Sequence, residues 1–443
     1  MQKRVVAGTA LVLALVLFAG GAAFPYQKAT SVAGNDAATL DATNEILEKV
    51  SKLRGLEIKR PVKSGLKSKD EIEQSVIKDL DESTSPEEFL ATQKTLARLG
   101  LVAKDFRLRD YVVKLLREQV AGFYEPKTQE FYLAAWVPVS EQRTVMAHEL
   151  MHALQDQHFN LRRFEDWPKG DSDAELAVHA LIEGEATIMM YQYALDREGV
   201  KLDVTKLGSL TERMLADTSP DDASKYPVLA GAPAVLRDGL QFPYIYGAGF
   251  VQEVLKAGSW SAVDKSYSKL PASTEQIMHP ERFITRDDPV KIDIADLAGA
   301  LGRDWKRVDA DVNGEFGYQI ALREFIGKAA VKAAAGWGGD RYLLYEDTKN
   351  GATMLAQFTT WDTATDAVEF FDAYSERTEK RYKVNRSADA TEKLRIYATA
   401  EGIVSIELRG KDVVIIEGAQ DRQQLGRLSE RVWQSKKAVA PRQ

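Results

Sequence analysis

Apolar residues recur at helical spacing through the first part of the chain. Ile46, Leu47, Val50 and Leu53 predict a helix from Ala42 onward, and Ile72, Val76, Ile77 and Leu80 predict a second. Pro86 opens a third that runs to about Leu99, because proline is preset for the first helical turn. The period then changes: residues 121–133 hold two aromatic-rich runs around a turn at Pro126 and predict a β-hairpin. Pro138 stops that run, Ser140 is placed to cap, and Val145, Leu150, Met151 and Leu154 form the inward face of the next helix. After a loop over 160–170, Ser172 and Glu175 have the Ser-x-x-Glu form of a capping box, opening a helix that continues to about Leu195. Further on, Phe242-Pro243-Tyr244-Ile245-Tyr246-Gly247 precedes an apolar helix, and 273–280 ends another helical segment. Near residue 300 the pattern changes again. Strands at 342–346 and 353–360, a helix at 363–382, strands at 396–408 and 413–417 and a closing helix at 425–434 read as a ββα unit used twice. The chain is therefore expected to be α+β, with a helix-rich domain and helical lead-in over 41–295 and a smaller α+β domain over 296–443.

Composition narrows the classes. With 44% hydrophobic and 28% charged residues in 443, the chain can build two cores. A net charge of −7, without a long basic block, argues against nucleic acid as the main partner. Cysteine is absent, which excludes disulfides, a thiolate metal site and a cysteine-linked lipid. The N-terminus departs from this average: Lys3 and Arg4 precede an apolar run over 5–18, and Gly21, Ala22 and Ala23 supply small residues where a signal peptidase cuts. Residues 1–23 are thus expected to be a signal peptide or, uncleaved, an N-terminal membrane anchor, followed by a polar linker over 24–40. That places the protein outside the cytoplasm, as a secreted, periplasmic or surface-anchored chain.

The chemistry concentrates in Val145-Met146-Ala147-His148-Glu149-Leu150-Met151-His152. Four helical residues advance about 400°, so His148 and His152 project from one face and can reach one zinc ion, while Glu149 turns about 100° toward the open coordination side. Catalytic zinc usually takes three protein ligands. His158 has the spacing of the third histidine in the metzincin pattern HExxHxxGxxH, but Gln155 stands where that pattern has its helix-breaking glycine. Glu183 is the stronger candidate: it sits on a separate helix, and Gly184 beside it removes a side chain where two helices approach. Glu185, about 200° further round, is expected to be a solvated surface acid. Tyr244, Tyr246 and His279 are candidates to stabilise an oxyanion, and His179, one turn before Glu183, is either a partner to the ligands or a surface residue.

His148-Glu149-Leu150-Met151-His152 followed by Glu183-Gly184-Glu185-Ala186 resembles the gluzincin zinc peptidases, in particular the aminopeptidase N and leukotriene-hydrolase branch. The segment through Asp156 is also similar to the thermolysin helix. The resemblance implies a helix-rich gluzincin-like domain with zinc on His148, His152 and Glu183, and Tyr244, in its Tyr-x-x-Gly context, as oxyanion donor. The thermolysin analogy would give that task to His279. It further implies hydrolysis of a peptide or protein substrate, with Glu149 taking a proton from the zinc-activated water and passing it to the leaving amine. The same ligands would also permit a zinc hydrolase of a non-peptide bond, and a non-catalytic binding protein could keep the fold. The hairpin edge, if open, could pair with an extended substrate.

Overall fold

Helix α1 (Asp36–Arg54) begins inside the expected linker, because Ala37, Ala38 and Leu40 are good helix formers and extend the periodic run. The computed structural model describes residues 36–119, 122–137, 139–164, 167–216, 226–388 and 390–438, so the expected export signal at 1–23, most of the linker and Pro138 lie outside it. Among the described residues no helix is long and apolar enough to cross a membrane. Helices α2 (Lys69–Ser83) and α3 (Pro86–Leu99) follow, each opened by a capping box, Ser68 with Glu71 and Ser85 with Glu88. Two elements lie outside the expected ones: the short strand β1 (Lys63–Lys67) and helix α4 (Leu108–Gln119), although the buried Leu108, Leu115 and Leu116 of α4 do have helical spacing.

The hairpin forms as expected, with β2 (Gly122–Glu125) paired antiparallel to β3 (Glu130–Ala134), while β1 adds in parallel on the other side of β3. This small sheet packs on helix α5 (Val139–Phe159), where Tyr124, Phe131 and Leu133 share a core with Met146, Leu150 and Met151. Helix α5 starts one residue before Ser140, which is therefore inside its first turn and not its cap. Helix α6 (Ser172–Arg197) is likewise displaced by one: Asp171 accepts from the Ala174 N–H, and Ser172 instead bonds Asp311. Pro243 lies inside helix α7 (Ala234–Ser266), which the sequence placed after it. Proline in a helix interior removes a hydrogen bond, but Phe242, Ile245 and Phe250 are buried in the largest core and hold the segment helical. Ser273 caps a short helix, Thr274–Met278, and the chain turns at His279 into another, Pro280–Thr285.

The C-terminal region is a six-stranded antiparallel sheet in the order β5-β6-β7-β10-β9-β8. Its strands are β5 (Trp305–Asp311), β6 (Trp337–Asp347), β7 (Thr353–Trp361), β8 (Leu394–Thr399), β9 (Gly402–Arg409) and β10 (Asp412–Ala419). Helix α8 (Gly314–Ile326) follows β5, helix α9 (Ala364–Tyr382) follows β7 and helix α10 (Arg422–Trp433) follows β10. The first expected ββα unit forms as β6-β7-α9, with β5 added at its edge and α8 between β5 and β6, whereas the second is a three-stranded meander, β8-β9-β10, closed by α10. Residues 396–408 are two strands, because Glu401 and Gly402, the latter at φ 103, turn the chain between β8 and β9. Helices α8 and α9 cover one face of the sheet and α10 the other. The fold is accordingly α+β, a helical N-terminal region followed by a sheet domain. A two-stranded ribbon of β4 (Lys291–Asp293) and β11 (Lys436–Ala438) ties the chain end back to residues preceding the sheet.

Helix α3 is docked on this sheet domain by buried charge. The Arg377 guanidinium donates to Leu99 O at 2.6 Å and to Glu417 Oε1 at 2.8 Å, and Arg381 donates to Ala97 O and to Glu417 Oε2. Gly100 ends α3 at φ 78, and a Cβ there would lie 2.7 Å from Arg381 Nε, so both the backbone and the close approach require glycine. Burial raises the Glu417 pKa, but Arg377, Arg381 and Arg98 override it and hold the carboxyl down at about 2. Glu417→Gln leaves Arg377 buried without its counter-charge and should cost about 3–5 kcal/mol, read from urea unfolding. Because the folded pKa is depressed, this contribution is present above the ordinary carboxylate range and is lost as pH falls from there toward about 2. The wild-type protein should lose stability over that window more steeply than the variant.

Candidate metal centre

Helices α5 and α6 bring His148, His152 and Glu183 together. Their ligand atoms all lie within 4.8 Å of one another. His148 Nε2 is 3.0 Å from Glu183 Oε2 and 3.1 Å from His152 Nε2, and His152 Nε2 is 3.4 Å from the same carboxylate oxygen. The two histidines share a face of α5 because they are one turn apart. Glu183 reaches them because α6 crosses α5, and α6 is positioned from behind by a glycine contact. A Cβ on Gly184 would lie 2.1 Å from Gly247 C, and one on Gly247 2.0 Å from Ala180 O, so α6 and α7 meet backbone to backbone. Tyr244, one turn before Gly247, is thereby set over His148, with ring centroids 6.0 Å apart and planes at 28°.

The donor set fits a metal ion. His152 Nδ1 faces Gln155 Oε1 at 2.7 Å, and the Gln155 amide nitrogen donates to Ile182 O, Glu185 Oε2 and Tyr267 OH. With the amide so oriented, its oxygen accepts the Nδ1 proton, which leaves the His152 Nε2 lone pair aimed at the centre. Two imidazole nitrogens and one carboxylate oxygen facing one another without solvent require a shared cation or proton. That demand shows in the titration of the three groups. Burial lowers His152, but the charge and hydrogen bond of Glu183, with Glu149, override it and hold the imidazole at about 9. Burial also pulls His148 below its ordinary value, only partly opposed by Glu183. Glu183 is itself raised by burial but held well below the carboxylate range by His152 and His148.

Glu149 is fully buried beside this group. Its Oε2 accepts the Tyr124 N–H of β2 at 2.9 Å, and its Oε1 has no hydrogen-bond partner among the described residues. Burial pushes its carboxyl up to about 8, with His152 opposing and Glu183 adding. β2 is one of the two edge strands of its sheet, the other being β1. The Tyr124 amide that a paired substrate strand would use is already committed to Glu149.

The remaining candidates go elsewhere. Helix α5 is continuous through Phe159, and His158 points away from the centre, its Nε2 donating to Glu57 O. His279 sits at the junction of its two short helices, 3.0 Å from Glu315 Oε1, and does not line the cleft beside the metal ligands. Tyr246 stacks on Phe242 at 4.9 Å, where an aromatic core claims it. Glu185 is the clearest departure from expectation. It is fully buried, not solvated, and is bound by Arg54 NH, the Tyr267 hydroxyl and Gln155. No local pattern announces this, since Arg54 and Tyr267 are distant in sequence. Gln155 stands where the metzincin pattern has its glycine, at the start of the polar run Gln155-Asp156-Gln157-His158, and no local pattern announces its role.

A cleft of about 700 Å³ opens beside the centre, reached through Glu183 and Tyr244. Its walls are α3 and α4 of the lead-in, α6, the start of α7, and β5 of the sheet domain. The sheet domain therefore contributes to the same cavity as Glu183. Residues 303–429 of that domain match a family described as a domain of unknown function (DUF8575). Nothing among curated proteins or solved structures matches the chain.

Proposed function

We propose that this chain is a gluzincin-type zinc metallopeptidase that acts outside the cytoplasm on peptide or protein substrates. The observation that carries the reading is the convergence of His148, His152 and Glu183 next to a buried carboxylate, Glu149, with one oxygen left without a partner. A zinc ion held by that set supplies Lewis acidity and makes water acidic enough to react near neutral pH. The chain's own groups do the rest. Glu149 Oε1 accepts a proton as water adds to the carbonyl carbon and delivers it to the amine as the C–N bond breaks. Its raised affinity for protons suits both halves of that exchange. Tyr124 N–H holds the other oxygen and fixes the carboxylate plane. The Tyr244 hydroxyl, on the cleft wall, donates to the developing oxyanion.

Purified protein loaded with zinc should hydrolyse members of a mixed peptide library and lose that activity with a chelator. Absence of cleavage in the loaded protein would refute the reading. Tyr244→Phe should lower kcat by roughly 10²-fold or more with KM and metal content nearly unchanged, since the bond forms mainly in the transition state. Tyr246→Phe and His279→Ala should be mild. Collapse of kcat in His279→Ala alone would transfer the donor role to the histidine.

A further inference from the structure

The cleft contains a second polar station that the metal centre does not use. Glu175, His179 and Glu183 stand at successive four-residue steps on α6, so they share one face of the helix, and all three line the cleft. His179 is about 6 Å and Glu175 about 12 Å along the axis from the candidate ligand. Glu175 keeps only 4% of its surface exposed, and its carboxyl has no hydrogen-bond or ion-pair partner among the described residues. His179 is 9% exposed, and its Nε2 is equally without a partner. The cap of α6 is Asp171, so Glu175 is not needed to open the helix.

Among the described residues no lysine or arginine pairs with Glu175, although Arg307 of β5 lines the cleft. From β5, Asp311 adds a further carboxylate, fixed by the Ser172 and Val312 N–H groups at 2.8 Å. Lys169 also lines the cleft but is paired with Glu88. An unpaired carboxylate withdrawn from water is costly unless it is neutralised or a cation joins it. Burial, with Asp311 and Asp171, pushes Glu175 up to about 8, which reflects that cost.

Resting on the peptidase reading for the way substrate lies past Glu183, we infer that Glu175, flanked by His179 and faced by Asp311, is a subsite for a cationic group of the substrate. An extended chain rises about 3.3 Å per residue, so the subsite lies three to four residues from the scissile bond. Its occupant is a lysine or arginine side chain, or an amino terminus at that distance. Leu176 and Ile182, which line the cleft on α6 between these stations, face the intervening residues.

The test uses zinc-loaded full chain and peptides sharing one cleaved bond, with lysine or norleucine three and four residues away and the amino terminus free or acetylated. A preference in kcat/KM of at least tenfold for a cationic peptide is expected, and Glu175→Gln should reduce it to less than threefold. Dependence on lysine identifies a side chain as occupant, and dependence on the free amine identifies the terminus. Equal rates on all peptides, or a preference that survives in Glu175→Gln, would overturn the subsite while leaving the peptidase reading intact. Calorimetric binding of the same peptides to Glu149→Gln protein, with and without Glu175→Gln, reads the subsite independently of turnover. Cation-selective binding that needs Glu175, without any hydrolysis by wild type, would keep the subsite and remove the peptidase.

Discussion

Glu149→Gln is expected to retain zinc at wild-type content and to lower peptide hydrolysis by on the order of 10²–10⁴-fold. The substitution preserves shape and keeps an oxygen for the Tyr124 N–H at 2.9 Å, so the local fold has no reason to change. It removes the one group placed to take and return the proton. Because Glu149 is fully buried and carries a pKa raised to about 8, replacing it by a neutral amide should not destabilise the protein. Turnover that persists in this variant, with metal content verified by elemental analysis, would refute Glu149 as the base.

Glu183→Ala should have the complementary effect. Zinc affinity should fall by more than about 100-fold, since even partners behind the ligands commonly contribute 10- to 100-fold. Hydrolysis should fall with it and recover partly in excess zinc. His158→Ala is the matching control, because His158 bonds Glu57 O at a distance from the centre and should leave zinc unchanged. Glu185→Ala is not a neutral control. Loss of that carboxylate leaves the buried Arg54 with only the partly exposed Asp264 and releases Gln155 from its orientation, so it should destabilise the fold and weaken zinc indirectly.

The parts of this molecule that were legible in its sequence are those specified by neighbouring residues. Helical spacing located α1, α2, α3, α5 and α6, and the aromatic runs around Pro126 located the hairpin. The two-histidine face of α5 needs nothing beyond the pitch of a helix. Gly184 likewise announced a close helix contact, although its partner, Gly247 of α7, was visible only in the fold. What escaped was set by tertiary contacts. Pro243 reads as a boundary, yet packing keeps the helix running through it. Glu185 reads as a surface acid two residues beyond a ligand, but Arg54 from α1 and Tyr267 bury it behind the centre. Ser172 reads as a cap, and Asp311 from β5 draws its hydroxyl away. His279 has the right chemistry for an oxyanion donor but is committed to Glu315.

Anomalous X-ray scattering recorded on either side of the zinc absorption edge locates zinc directly in a crystal of the protein. One anomalous peak per chain is expected, within bonding distance of His148 Nε2, His152 Nε2 and a Glu183 carboxylate oxygen, with Gln155 Oε1 still accepting from His152 Nδ1. A zinc-supplemented crystal with no peak there, or with the ion held by other residues, would contradict the zinc centre.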